Sequence, residues 1–277
     1  MLDRGSIGAV ALAAALLTAV AGAHAQDMAK YPDWSGQWKG LHGPQWDPSK
    51  RPGLAQQPPL TPEYQAIFEA SIKDQAAGGQ GNNVRFTCVP SGMPRTMTVL
   101  FQLEFVITPK TTYLLFANNP SRRIHTDGRD WPQGEEPSFT GFSIGRWVDT
   151  DGDGRYDTLE AETRNIRGHR TYDNSGLPFH EDNQTVVKER IYLDKVKPDT
   201  LHDEITTIDH ALTRPWTVTK TYGREHGVPW IDLPCGENNP HIVIGKENYF
   251  MSADGHLMPA RKDQAPPDLR YFKQPRK

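Results

Sequence analysis

The feature that most constrains this chain is the alternation of its apolar residues along most of its second half. From residue 95 the period is two. Phe101, Leu103, Phe105 and Ile107 alternate with Gln102, Glu104, Val106 and Thr108, which predicts a half-buried strand. Pro109-Lys110 turns the chain, and Thr112 to Ala117 returns. Residues 118–140 read as a long surface loop. Further strands are expected at 143–149, 158–165, 184–194, 200–209, 215–224 and 228–234, joined by short turns. Asp157-Thr158-Leu159 and Asp199-Thr200-Leu201 open two of them alike, which suggests two similar hairpins. A run of strands with one apolar face buries that face by closing on itself. The predicted class is therefore mainly β, a single antiparallel meander barrel that is lipocalin-like by fold-level analogy.

The flanks differ from this core. Residues 26–84 form an N-terminal arm whose first part, 26–59, is rich in Pro, Gly and Trp, and there Gly36-Gln37-Trp38 offers a Trp able to plug a barrel end. One helix is expected at 61–77, with Thr61 as cap, Pro62 in the first turn and Tyr64, Ile67, Phe68 and Ile72 as its stripe. Gly78-Gly79 stops it. The barrel core is assigned to 85–235, and the polar, Pro-rich residues 236–277 to a wrapping tail.

Residues 1–25 read as an export signal. Arg4 precedes an apolar stretch from Ile7 to Val20, and Ala23-His24-Ala25 has the small-x-small form that a signal peptidase cuts. That stretch is short for a bilayer, which takes about 20 residues. The expected destination is the periplasm or the exterior, with cleavage after Ala25. The 31 basic and 34 acidic residues form no long run of one sign, so nucleic acid is not an expected partner. No membrane span is expected. In an oxidising compartment the two cysteines, Cys88 and Cys235, suggest one disulfide, the alternative being two separate thiols. Closing so long a loop stabilises by about 4–5 kcal/mol.

The sharpest motif spans 149–160. Asp149, Asp151 and Asp153 fall at positions 1, 3 and 5 of a twelve-residue calcium loop, Gly154 at 6, Asp157 at 9 and Glu160 at 12. The flanks read as strands, so the expectation is a calcium-bound β-hairpin loop with a structural ion. The plainer alternative is a solvated acidic turn. Arg123, His125, Asp127 and Arg129 crowd one loop and suggest an anion-binding mouth, or else a loop held by Arg–Asp pairing. His180-Glu181-Asp182 suggests an acid–base pair at a barrel rim, or a polar turn. Glu189 and Glu204 lie on strand faces with apolar neighbours. If they point inward they need a partner such as Arg214 or Arg190, or else stand as raised-pKa bases. Neither a phosphate loop, nor a nucleophile elbow, nor paired His at zinc or copper spacing, nor a haem attachment motif is found. No organic cofactor is expected.

Several phrases are familiar as an ordered set. They are Cys88-Val89-Pro90-Ser91-Gly92-Met93-Pro94-Arg95, Arg123 to Arg129, Ser143-Ile144-Gly145-Arg146-Trp147, Thr213-Arg214-Pro215-Trp216-Thr217-Val218 and Cys235-Gly236-Glu237-Asn238-Asn239. Over roughly residues 85–240 the chain resembles a broad, poorly characterised group of exported bacterial proteins. The resemblance implies a barrel-like core and a Cys88–Cys235 bridge, and no reaction. His125 stands where that pattern has Tyr, and the acidic turn is longer than the group's Glu-Gly-Asp hairpin, which makes calcium peculiar to this branch. Three functions follow as expectations. The first is a barrel holding a small apolar or aromatic molecule. The second is a cofactor-independent lyase, isomerase or hydratase using His180, Glu189 and Glu204 with Arg214 or Arg95. The third is a calcium-stabilised structural envelope protein.

Overall fold

A computed structural model describes residues 28–41, 57–98, 101–168, 170–238, 240–244, 247–252 and 254–266. The expected signal segment lies outside the described residues. Nine strands close into a barrel: β1 (Gln37–Gly40), β2 (Leu103–Ile107), β3 (Thr111–Phe116), β4 (Arg122–His125), β5 (Phe142–Val148), β6 (Thr158–Arg164), β7 (Val186–Leu193), β8 (Thr200–Ile208) and β9 (Trp216–Glu225). Each pairs with the next, and β9 returns to β1 with Trp38 opposite Arg224.

All neighbours are antiparallel except β4 and β5, which run parallel. A tight hairpin cannot make a parallel pair, and the connection over 126–141 carries the chain back to the same end. Thus the expected 118–140 loop opens with a strand. Residues 228–234, expected as a strand, form none. Pro229 and Pro234 bracket that stretch and remove ladder donors.

Eight strands already leave an interior just wide enough to be filled by side chains, and nine leave more. Large apolar residues pack into it. Trp38, Leu103, Phe105, Leu114, Phe116, Ile124, Leu159, Ile191, Leu201, Ile205 and Tyr222 form one buried cluster. Trp34 joins it, its ring 5.1 Å from Phe105 and 4.8 Å from Trp147. Gly36 at φ +88° turns the chain between the two tryptophans, so that Trp38 Nε1 donates to the Trp34 carbonyl at 3.0 Å. Trp38 plugs that end, with the Arg224 guanidinium 4.4 Å over its ring.

The other end is covered by α1 (Pro62–Ala76) and the segments around 172–179 and 211–212. Phe68, Tyr172, Leu177, Phe179, Leu212, Trp216 and Val218 make a second cluster there. Thr61 caps the helix by accepting from the Tyr64 amide, and Gly78 at φ +89° follows its end. Of the expected stripe, Phe68 is buried and Tyr64 and Ile72 pack partly, while Ile67 turns outward. Cys88 and Cys235 are bonded, their Cα atoms 5.5 Å apart. The stretch expected as a polar tail contains a three-stranded antiparallel sheet, β10 (His241–Ile244), β11 (Glu247–Met251) and β12 (Leu257–Pro259). It docks beside the disulfide, with the His241 ring 5.2 Å from Phe86. No helix among the described residues is long and apolar enough to cross a membrane.

Candidate functional site

Among its apolar residues the barrel interior carries a set of buried charges. Alternation places it: Arg122 shares a face with Ile124, Glu189 with Val187 and Ile191, Asp203 with Leu201 and Ile205, and Lys220 with Val218 and Tyr222. All four are buried.

Arg122 and Glu189 form the centre of this set. Arg122 Nη1 donates to Glu189 Oε1 at 2.7 Å, and Nη2 donates to Glu189 Oε2 and to Thr163 Oγ1 at 2.8 Å. Its Nε donates to Ser143 Oγ at 3.2 Å, and Ser143 and Thr163 hydrogen-bond each other at 2.8 Å. This fork-to-fork pairing satisfies a buried guanidinium and a buried carboxylate together.

Asp203 is different. It is fully buried, and neither carboxylate oxygen has a hydrogen-bond partner among the described residues. Burial, and next the charge of Glu189, push its pKa well above the ordinary carboxylate range. Across the β8–β9 pair it faces Lys220, whose pKa burial pushes down. Tyr172, in the covering cluster, is buried with its hydroxyl also unpartnered, and Asp203 is among the charges that raise its pKa after burial. Buried polar groups are nearly always hydrogen-bonded, and the Asp203 carboxyl and the Tyr172 phenol are among the exceptions.

The residues expected to do chemistry do not converge. Glu189 points inward, but its partner is Arg122 and neither Arg214 nor Arg190. Glu204 points outward, because Leu201, Asp203 and Ile205 own the inner face. It accepts from the Tyr192 hydroxyl at 2.8 Å and pairs with Arg190 at 3.8 Å. Arg214 is exposed and donates to the Pro215 carbonyl. Arg95 is buried beneath the covering segment, donating to Asn83, Thr171 and Asn174 at 3.0, 2.7 and 2.5 Å. Burial lowers its pKa to about 10. His180 lies in the turn before β7, next to Asp182 and His210.

The expected anion mouth is not assembled. Strand β4 runs through it, so Arg122 and Ile124 enter the barrel while Arg123 and His125 face out. The Arg123 guanidinium lies 6.0 Å over Tyr113, and His125 stacks on Phe142 at 5.0 Å. Arg129 pairs with Asp127 through bonds of 2.8 and 2.6 Å, which holds the Asp127 carboxyl down at about 2. Arg129 lines an outer groove of about 680 Å³, whose other charges are paired too: Arg146 with Glu160, Lys188 with Glu162, Arg190 with Glu204, and Glu189 with the buried Arg122.

At the β5–β6 turn, Asp149, Asp151 and Asp153 lie with ligand atoms within 4.8 Å of one another. Asp149 accepts from the Gly152 and Gly154 amides at 2.7 and 2.8 Å, and Asp151 pairs with Lys195 at 3.0 Å. Asp157 instead accepts from Thr150. Glu160 lies on β6 opposite Arg146 and accepts from it at 2.8 Å, because a strand replaces the helix that would have brought position 12 back to the loop.

No protein-family model, curated protein or solved structure matches this chain, so the site is read from its own geometry.

Proposed function

We propose that this protein is an exported barrel that binds a small molecule. The ligand's body is apolar or aromatic, and its polar end is received by the layer of Asp203, Lys220 and Tyr172. The observation that carries this reading is the fully buried Asp203 carboxyl with two unpartnered oxygens. With its proton held, that carboxyl offers one donor and one acceptor, and the Tyr172 hydroxyl offers the same. The complement is a neutral oxygen function, such as a ketone, a lactone or a phenol, on an apolar frame. The neighbouring aromatic residues Tyr172, Trp216 and Tyr222 suit such a frame. Export is supported by the N-terminal pattern and by the disulfide, which belongs to oxidising compartments.

The test is a melting-temperature screen of the mature chain against small aromatic ketones, phenols and lactones. A ligand at a hundred times its Kd stabilises by about 2.7 kcal/mol. Asp203→Asn and Tyr172→Phe are expected to diminish the shift. The reading fails if no compound in the panel raises the midpoint, or if the shift persists undiminished in Asp203→Asn.

One observation favours acid–base chemistry in the same layer. Asp203 and Lys220 are cross-strand neighbours whose proton affinities burial moves toward each other. Such a pair can move a proton at a carbon next to a bound carbonyl. Deuterium exchange at that carbon, abolished by Lys220→Met, is the expected sign. A calcium ion, in this proposal, would be held by Asp149, Asp151 and Asp153 alone and would pin the β5–β6 hairpin.

A further inference from the structure

We propose that His180, Asp182 and His210 form a binding site for a divalent transition metal of the Zn²⁺ type, at the covered end of the barrel. The two histidines come from different turns, one before β7 and one after β8, which is why no sequence spacing announces them. Asp182 Oδ2 lies 3.1 Å from Nδ1 of His180 and 2.5 Å from Nδ1 of His210. The donor atoms of all three lie within 4.8 Å of one another. Tetrahedral zinc with bonds near 2.0–2.2 Å sets its ligands about 3.4 Å apart, so a small rotation of the exposed His210 ring closes the set.

Two further features point to a cation. Nδ1 of His180 accepts the Asp182 backbone N–H at 3.2 Å, which marks it as the unprotonated nitrogen. It is thus already in the tautomer that a metal needs, 3.1 Å from the Asp182 carboxylate, and a bound ion would take over the single lone pair that this hydrogen bond now uses. The turns are also held from beneath. Asp209, buried against Arg170, accepts from the backbone amides of His180 at 2.9 Å and Ala211 at 2.8 Å. One buried side chain thus fixes the residue that bears the first imidazole and the residue that follows the second, as a supporting shell does in metal sites.

Two histidines and one carboxylate leave coordination positions open, which suits imidazole-binding metals that also take an exogenous ligand. His180 borders a groove of about 650 Å³ that also meets Tyr64, Phe179 and Arg170. That groove would receive such a ligand. This site is separate from the interior layer, so the two readings stand or fall independently.

The test is titration of the metal-free mature chain with zinc chloride by calorimetry, with cobalt(II) absorption as a spectroscopic readout of tetrahedral nitrogen–oxygen coordination. The expected result is one ion per chain, with affinity reduced about tenfold or more in both His210→Ala and Asp182→Asn. His210 is two-thirds exposed on its side chain, so His210→Ala is expected to keep its fold, and an unchanged melt in the absence of metal checks this. The proposal is overturned if zinc gives no saturable heat. It is also overturned if affinity is unchanged in His210→Ala, which would mark binding at other surface groups.

Discussion

Glu189→Gln is the most direct probe of a dry, charged layer inside this barrel. The substitution keeps the side chain's shape and removes its charge. Arg122 would then stand, about 1 % exposed, with Ser143, Thr163 and a neutral amide as its bonded partners. Breaking a buried ion pair in this way costs about 3–5 kcal/mol. For a chain of this size that corresponds to a fall in Tm of about 6–20 °C. Asp203 sets the position within that range. Burial first and the charge of Glu189 second hold the Asp203 pKa up, so removing Glu189 lowers it and eases the loss. The companion variant is Arg122→Met with Glu189→Met. It removes both charges and leaves the Ser143–Thr163 hydrogen bond intact, so no hydroxyl is orphaned. Its stability should lie within about 1 kcal/mol of the native chain or above it. Urea denaturation followed by circular dichroism, disulfide intact, measures both. A single-variant cost below about 1 kcal/mol, as exposed pairs show, would mean that water reaches this layer and that the interior is not closed.

Other expectations follow from the same coordinates. Because Asp203 holds its proton more tightly folded than unfolded, its contribution is fully present below the unfolded pKa near 3.8. That contribution is lost as pH rises toward the folded value. Asp203→Asn should therefore match the native chain below about pH 4 and exceed it increasingly above, read from urea midpoints across pH. Equal pH slopes for the two proteins would refute this. Reducing the Cys88–Cys235 bond, or replacing both by Ser, frees a loop with a sequence separation of 147 and should cost about 4–5 kcal/mol. A loss within error would contradict it. Calcium in place of a chelator should raise the melting midpoint, and Asp149→Asn should abolish the rise. An unchanged native midpoint would remove calcium from the account.

How far the sequence was readable depends on what kind of information each feature needs. Alternation is local, so strands β5 to β9 were expected within about two residues of their observed bounds. Parity is local too: Glu189 lies between Val187 and Ile191, whose burial fixes its direction. For Glu204 the sequence held the answer in the matched openings at Asp157 and Asp199. Leu159 and Leu201 both point inward, so Glu162 and Glu204, each three residues on, point outward. The same count picks out Asp203, which shares a face with Leu201 and Ile205, and Lys220 between Val218 and Tyr222. A lone charge on an otherwise apolar face was the signal to follow. Strand β4 offered no such signal. Its four residues and the parallel turn after it carry too little periodicity to separate Arg122 from Arg123. The identity of a charge's partner is not local at all. Arg122 and Glu189 sit on strands that are not neighbours and meet only because the sheet closes on itself. His180 and His210 meet differently: β7 and β8 are paired neighbours, so the turn before one lies beside the turn after the other, with the Asp209 carboxylate beneath both. Pairing between separate strands, which no single stretch of sequence encodes, is what brings isolated polar residues together here. For that reason the interior site and the two-histidine site lie where separate strands or turns converge, while the proposed calcium loop alone lies within a contiguous motif.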